Sequence, residues 1–183
     1  MVNDADRVYF LLDSLPNNRL TTTDFAKQPH LQLRRLGEGD HTTAPVVCGV
    51  ESMDRVTWSD RWFDTVAGDQ GRCTYLLEAG DGIAGYLTIH HSGDGCLIVD
   101  EVAIAKKHKG KKWGAVLMRF ADTLARQCNC RRIELNAIEC KASWYNGFEY
   151  VQKPGASPIL LTGEKYIPME KPILHHLPRH ASR

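Results

Sequence analysis

Residues 101–118 read EVAIAKKHKGKKWGAVLM, so an apolar run, a loop of lysine and glycine and an amphipathic segment follow one another. The apolar run predicts a strand that is covered on both faces, as in the middle of a sheet. Beyond the loop, Trp113, Val116, Leu117 and Phe120 recur at helical spacing along one stripe. The segment therefore predicts a strand, a loop and the N-terminus of a helix in immediate succession.

The loop between this strand and this helix combines three features that favour an anion. Unpaired backbone N–H groups and the positive end of the helix dipole meet at a helix N-terminus. Gly110 and Gly114 allow a ligand to approach the backbone closely, and Lys109, Lys111 and Lys112 add positive charge. The loop is therefore predicted to hold a pyrophosphate group.

The sequence on either side predicts a mixed sheet. Gly-Asp-Gly turns separate three strand-like runs, which indicates an antiparallel meander. The three runs are Thr74–Ala79, Ile83–His90 and Cys96–Ala105. After the helix, the alternation of Arg132–Ala137 predicts a strand with one buried face, so that strand, crossover helix and strand form a parallel unit. Ile159–Leu161 and Tyr166–Met169 predict a final hairpin around Gly163.

The remaining segments show weaker patterns. Val8–Leu15 is predicted to be a short amphipathic helix and His30–Leu36 a first strand, whereas Thr43–Gly68 is predicted to form two short helices. Ser143–Phe148 is predicted to be a short aromatic turn. We expect a helical extension over residues 1–28, one domain over 29–172 and a loose tail over 173–183.

Composition excludes several classes of function. The 183 residues carry a formal net charge of +1, so nothing draws the chain as a whole to nucleic acid or to an anionic membrane. The apolar run Val8–Leu12 is too short and too acidic at its flanks for a signal peptide or a spanning helix. We therefore expect a cytoplasmic protein.

Its six cysteines are expected to be reduced, and Cys128 and Cys130 lack the spacing of a metal site, so no metal is predicted.

The quoted residues resemble the GNAT family of N-acetyltransferases. The cofactor loop of that family follows Arg/Gln-x-x-Gly-x-Gly/Ala between the fourth strand and the third helix. The matching stretch is Lys109–Gly114, in which Lys109 stands for the Arg or Gln and Lys112 for the first motif glycine. The order of the elements is also similar to that of the family. After the strand that matches the family's fifth strand, Trp144–Phe148 resembles the family's Tyr-containing segment ending in Gly-Phe, although the spacing from the Tyr to the Gly-Phe is shorter here.

The resemblance implies a fold and an activity. The fold is α/β, or α+β by some schemes: a mixed, mostly antiparallel central sheet with helices on both faces. The activity is transfer of an acetyl group from acetyl-CoA (coenzyme A) to a primary amine, on a small molecule or on a protein. The cofactor would enter between the fourth and fifth strands, which the resemblance implies to be splayed apart, and the turn 144–148 would lie beside the thioester. The residues assigned to the cofactor in this way are Val102, Ala103, Ile104, Lys109, Gly110, Lys111, Lys112, Trp113, Gly114, Ala115 and Asn136.

Two side chains are candidates for the chemistry. An amine with a pKa of about 10 is mostly protonated at pH 7, so attack on a thioester needs a base. Glu101 is the first choice for that base, with Asp100 and Glu134 in reserve. Tyr145 is the candidate acid that protonates the departing thiolate, and a backbone N–H of the fourth strand would hold the oxyanion.

Other interpretations of the same residues stay open. Glu101 would serve structure alone if it paired with Arg131 or Arg132, and Tyr145 would do so if it only packed. The Lys106–Lys112 patch would equally suit a non-catalytic CoA-binding regulator or a nucleic-acid-binding module. The balanced charge argues against nucleic acid and against a membrane as partner, and a homodimer stays open.

Overall fold

The computed structural model describes residues 31–35, 72–80, 82–161 and 163–174. The helix predicted over 8–15, the two helices predicted over 43–68 and the end of the tail, 175–183, lie outside the described residues. The described strands form one mixed sheet, and their bounds are β1 (Gln32–Arg35), β2 (Arg72–Ala79), β3 (Gly82–Ser92), β4 (Cys96–Ile104), β5 (Arg132–Ile138), β6 (Val151–Gln152), β7 (Ile159–Leu161) and β8 (Glu164–Pro172). The described helices are α1 (Trp113–Gln127) and α2 (Ala142–Asn146).

The sheet has the order β1-β2-β3-β4-β5-β8-β6, and β7 pairs with β8. The strands β1 to β4 are antiparallel neighbours. The predicted three-strand meander is confirmed as β2 to β4, and the first strand predicted over 30–36 is confirmed as β1. The pair β4–β5 is parallel and is joined through α1, which confirms the predicted crossover unit. The final hairpin is confirmed as β7–β8. The two-residue strand β6 was not predicted, since two residues carry no periodic pattern.

The core lies between α1 and the sheet. Leu117, Phe120 and Leu124 of α1 are fully buried, and α1 packs on β3, β4 and β5. The ring of Phe120 meets that of Tyr75 edge to face at 4.9 Å between centroids, a favoured aromatic geometry. The apolar stripe read from the sequence is therefore the surface that attaches α1 to the sheet.

Two boundaries differ from the prediction. The segment predicted as an aromatic turn begins as the helix α2 and turns only after Asn146, where Glu149 takes a left-handed φ of 69°. The predicted tail starts too early, because Ile173 is buried and its N–H donates to the carbonyl of Arg131 at 2.8 Å. The second difference arises from a contact with a residue far away in the chain, which local patterns do not record.

A glycine in β3 allows the end of β4 to pack closely. A Cβ at Gly85 would lie 2.5 Å from the carbonyl oxygen of Ala103 and 2.6 Å from Cδ1 of Ile104. Gly85 and Ile104 are direct partners in the β3–β4 register. The side chain of Ile104 therefore lies over Gly85, and this contact holds the last residues of β4 in place.

We predict that Gly85→Ala lowers the free energy of unfolding by about 1–3 kcal/mol, because backbone atoms must move to admit the methyl group. Chemical denaturation measures this loss. Gly93→Ala is the matched control, since no atom lies within 4 Å of a Cβ there. Equal stability of the two variants would contradict the packing described for Ile104.

Candidate active site

The strands β4 and β5 separate part of the way along the sheet. Their register pairs Cys96 with Arg132 and ends where Val99 pairs with Leu135. Beyond that point β4 continues to Ile104 alongside β3, whereas β5 continues to Ile138 alongside β8. In the part of the chain that the structure describes, no strand pairs with this edge of β4. A cleft therefore opens between the two strands, as the resemblance implied.

The predicted contacts of the cofactor's extended arm lie on the two walls of this cleft. Val102, Ala103 and Ile104 belong to the stretch of β4 beyond the last β4–β5 pair, so one edge of their backbone faces the cleft rather than another described strand. Asn136 lies on β5 just beyond Leu135 and is exposed. An open strand edge can pair with amide groups of an extended ligand as an added strand would.

The predicted anion loop lies at the mouth of the cleft. Lys106–His108 forms a short 3-10 turn, and the chain then passes through Gly110, with φ 84°, and Lys112, with φ 61° and ψ 17°. Both residues are left-handed, and Lys112 stands where the family motif has its first glycine. A side chain in this conformation costs about 1–2 kcal/mol. The position therefore retains the glycine-like backbone although it carries a lysine.

The N-terminus of α1 presents its first turn to this loop. Ala115 N–H donates to the carbonyl of Lys112 at 3.0 Å, and the Lys112 side chain makes no capping hydrogen bond. The first turn holds no acidic side chain that would compete with an anion for the helix dipole. Lys109, Lys111 and Lys112 are exposed around it. The loop thus combines a helix N-terminus with exposed positive charge, a combination that favours an anion.

Trp113 anchors the loop rather than lining it. Its side chain is buried, and its ring packs on His108 with 4.7 Å between centroids. Lys111 Nζ lies 4.7 Å from the Trp113 ring centroid and 3.3 Å from Nδ1 of His108. Trp113 can therefore contribute only its backbone to a cofactor site. Its buried side chain instead packs against His108 and Lys111 and so attaches the loop to the core.

A residue that sequence reasoning missed closes the other side of the loop. A Cβ at Gly114 would lie 3.2 Å from Cζ2 of Trp144 and 3.8 Å from Cγ1 of Ile104. The indole of Trp144, which is 40% exposed, therefore lies directly against the first turn of α1. The aromatic residues of 144–148 predict an aromatic cluster, but the sequence does not indicate which of their rings contacts the loop.

Tyr145, the candidate acid, lies one residue further along α2. Its ring is half-buried against the core, 4.8 Å from the ring of Trp144 and 6.1 Å from that of Tyr150. Burial raises the pKa of Tyr145 to about 12. The phenol is therefore protonated throughout the physiological range, which is the form that an acid needs.

A β-bulge determines where Glu101 points. The β3–β4 register pairs Ile89 with Val99 and Thr88 with Glu101, so Asp100 is an extra residue. The shift puts Asp100 and Glu101 on one face of the sheet, the face away from α1. There Glu101 Oε2 accepts a hydrogen bond from the hydroxyl of Tyr86 at 3.3 Å. Adjacent acids in an apolar strand are the sequence signal of this bulge.

The two reserve bases are engaged in ion pairs. Asp100 Oδ2 lies 2.7 Å from Nδ1 of His90 and 3.3 Å from Nε of Arg72. Glu134 accepts hydrogen bonds from Arg132 and Lys153, each at 2.7 Å. Burial opposes ionisation of Glu134, but the hydrogen bonds to Lys153 and Arg132 outweigh it and lower the pKa of that carboxyl. Glu134 is therefore a weak proton acceptor.

The two cysteines that were weighed as a metal pair, Cys128 and Cys130, are free thiols and are buried. Burial raises the pKa of Cys128 to about 11 and that of Cys130 to about 12, so both thiols hold their protons at neutral pH, whereas metal ligands are thiolates. Among residues 31–35, 72–80, 82–161 and 163–174, no three His, Cys, Asp or Glu side chains form a metal-binding group.

Coenzyme A fits the residues that are present. Its pantetheine amides require backbone donors and acceptors along an extended path, which the open edge of β4 offers. Its pyrophosphate requires a helix N-terminus and cations, which α1 and the loop lysines offer. These two features meet at Ile104 and Gly114, which approach each other beside Trp144.

Comparison with known families agrees with this geometry. The sequence model of the acetyltransferase (GNAT) family matches residues 41–143, more than half of the chain. No curated protein sequence matches the chain significantly. None of the described helices has the length and apolar composition to cross a membrane.

Solved structures of acetyltransferases share the fold. Ribosomal-protein-S18-alanine N-acetyltransferase from Escherichia coli superposes with a TM-score of 0.65 at 13% identity, covering 81% of this chain and 97% of its own. Spermidine/spermine N-acetyltransferase SpeG from Vibrio cholerae gives 0.59 at 16% identity, covering 79% and 93%. Nourseothricin acetyltransferase gives 0.56 at 17% identity, covering 79% and 99%. At these identities the likeness establishes the mixed, mostly antiparallel fold.

We predict that Lys112→Gly raises the free energy of unfolding by about 0.5–1 kcal/mol, because relief of the left-handed strain exceeds the entropy that glycine loses on folding. Thermal or chemical denaturation measures this gain. Lys109→Gly removes the same charge from the same loop at a residue without positive φ, so it should lose stability. A loss in both variants would mean that Lys112 is not strained.

Proposed function

Because the chain belongs to the acetyltransferase (GNAT) family, we propose that it transfers an acetyl group from acetyl-CoA to a primary amine. The acceptor attacks the thioester directly, without an acyl-enzyme intermediate. The observation that carries the proposal is the convergence of the open β4 edge with the N-terminus of α1 at the mouth of the β4–β5 cleft.

In this proposal different residues of the cleft bind different parts of the cofactor. The backbone of Val102–Ile104 pairs with the pantetheine arm, and the backbone of residues 109–115 binds the pyrophosphate with help from the loop lysines. Trp144 covers the junction between these two parts, since its ring already lies on Gly114. Asn136, which is exposed on β5, hydrogen-bonds the acyl end in this proposal.

The proposed chemistry assigns one proton to each of two side chains. Acetyl-CoA supplies an acetyl group that is activated as a thioester. Glu101 accepts a proton from the ammonium form of the acceptor, so that the amine nitrogen can form a bond to the carbonyl carbon. Tyr145 donates its proton to the sulfur as the carbon–sulfur bond breaks, and the nitrogen gives up its second proton to the Tyr145 phenolate as the amide forms. A backbone N–H of β4 stabilises the oxyanion between these events.

The acceptor is proposed only as a class. The solved structures that share the fold include enzymes named for a polyamine, a ribosomal protein and an antibiotic, so the fold suits small molecules and proteins alike. We propose a cytoplasmic setting, which is supported by free thiols at the cysteines of the described ranges, since disulfides are favoured in oxidising compartments.

The proposal is tested by measuring release of CoA thiol from acetyl-CoA in the presence of polyamines, amino-sugar antibiotics and peptides with a free N-terminus or lysine. We expect acetyl-CoA to raise the melting temperature and at least one amine class to release thiol. Binding of CoA without turnover on any amine would favour a CoA-binding regulator. Absence of any thermal shift at millimolar acetyl-CoA would contradict both readings.

We predict that Glu101→Gln lowers kcat by about 10²-fold or more at pH 7. The deficit should shrink as the pH approaches 10, because free amine then no longer needs a base. Initial rates from pH 6 to 10 measure this trend. Glu164→Gln, at an exposed position of the β7–β8 hairpin, is the matched control. A deficit in Glu101→Gln that is independent of pH would indicate a structural role.

A further inference from the structure

Tyr86 places a hydroxyl group among apolar neighbours in the middle of the sheet. The register pairs Tyr86 of β3 with Leu76 of β2 and with Ala103 of β4, so the three side chains share one face. All three are buried, and Tyr86 is fully buried. A phenylalanine would be the simpler residue here, because a buried hydroxyl costs free energy unless it is hydrogen-bonded. The partner of this hydroxyl therefore indicates why a tyrosine stands at the position.

The same register brings Glu101 within reach of Tyr86. Glu101 pairs with Thr88, which lies two residues along β3 from Tyr86. Tyr86 and Glu101 are therefore diagonal neighbours on one face, at a separation that aromatic and long side chains can span. The hydroxyl of Tyr86 donates to Oε2 of Glu101 at 3.3 Å. The polar tip of a fully buried ring thus meets the carboxylate that is the candidate base.

The bulge at Asp100 is what makes these two residues neighbours. Without the extra residue, Glu101 would pair with Leu87, whose side chain belongs to the core that packs against α1. With it, Glu101 moves to the face of Tyr86. The local backbone of β4 therefore determines that Glu101 is the carboxylate that reaches the Tyr86 hydroxyl.

A hydrogen bond from a hydroxyl to a carboxylate does two things that a general base needs. It restricts the rotation of the carboxylate, so that the base meets its substrate in one orientation. It also favours the ionised form, because a charged oxygen is a stronger acceptor than a neutral carboxyl group. Tyr86 is a fixed donor for this purpose, since its ring is enclosed within the sheet.

We propose that Tyr86 is a positioning residue for Glu101, whose carboxylate it holds ionised and oriented toward the ammonium group of the acceptor. The inference rests on the proposed function, because Tyr86 has this role only if Glu101 is the base. Tyr86 keeps its own proton throughout. The proton from the ammonium group passes to Glu101, and the lone pair left on nitrogen forms the bond to the carbonyl carbon.

The first test is the effect of Tyr86→Phe on turnover. This variant removes one oxygen atom and keeps the ring, so we expect the fold to survive. We expect kcat to fall about tenfold at pH 7 with the KM for acetyl-CoA unchanged, because Tyr86 supplies none of the proposed cofactor contacts. Tyr166→Phe is the matched control, since the Tyr166 hydroxyl donates to Glu164 at the same 3.3 Å at an exposed site. That variant should keep full kcat.

A double-mutant cycle separates action through Glu101 from a structural defect. In the Glu101→Gln background, Tyr86→Phe should change kcat by less than about twofold, because the base through which it acts is already absent. In the otherwise unmodified protein, its deficit should shrink as the pH approaches 10, where free amine no longer needs a base. A structural defect would lower kcat by the same factor in both backgrounds and at every pH.

Each outcome of these measurements decides the inference. An unchanged kcat in Tyr86→Phe overturns it, and so does an equal loss in the Glu101→Gln background. If Glu101→Gln shows its pH-dependent deficit and Tyr86→Phe does not, the inference fails alone and the proposed function stands. If no amine releases thiol, or if Glu101→Gln keeps full kcat, the proposed function or its base is wrong and the inference fails with it.

The hydrogen bond can also be examined without activity. NMR of protein labelled with carbon-13 at the tyrosine Cζ atoms reports on the hydrogen bonds of each hydroxyl. We expect the Tyr86 signal to move in Glu101→Gln, while the Tyr166 signal stays in place and moves only in Glu164→Gln. A Tyr86 signal that does not respond to Glu101→Gln overturns the inference. The hydroxyl is present in this experiment, so the result does not depend on the folding of Tyr86→Phe.

Discussion

The separation of β4 from β5 beyond the Val99–Leu135 pair is the constraint on which the rest of the structure depends. Parallel pairing holds the two strands together at their starts, but each strand then stays paired only with its other neighbour. β4 remains paired with β3 and β5 with β8. The cleft therefore forms because β4 and β5 pair with different neighbouring strands beyond this point, and no additional helix or strand is needed to form it. Because only the loop 105–112 joins β4 to α1, the N-terminus of α1 is brought to the mouth of the same cleft.

The bulge at Asp100 has a comparable effect on the other face of the sheet. Without the extra residue, Asp100 and Glu101 would point to opposite faces, and one carboxylate would lie against the apolar side of α1. With it, Asp100 reaches Arg72 and His90 while Glu101 reaches Tyr86. One residue of register thus gives each of two adjacent acids a hydrogen-bond partner on the same face of the sheet.

Much of the fold could be predicted because its signals are local. The stripe of α1, the Gly-Asp-Gly turns and the alternation in β5 each lie within about a dozen residues, and each was confirmed. The left-handed backbone at Lys112 could be expected only because this residue stands at a glycine position of the family motif. The residues around Lys112 do not by themselves require a positive φ. The role of Trp144 could not be anticipated, because its contact with Gly114 joins residues thirty positions apart. The catalytic roles of Glu101 and Tyr145 stay predictions.

The sequence by itself determined the longer elements, β2 to β5 and α1, and the buried side of α1 and β5, because the spacing of apolar residues along a helix or strand is a property of the local chain. It also determined that lysines and glycines stand between a strand and a helix. Only the tertiary structure decided where β4 leaves β5, which face receives the two acids and which aromatic ring covers the loop. These features depend on pairing and packing between distant segments, whose free energies are set by the assembled sheet rather than by any one stretch of residues.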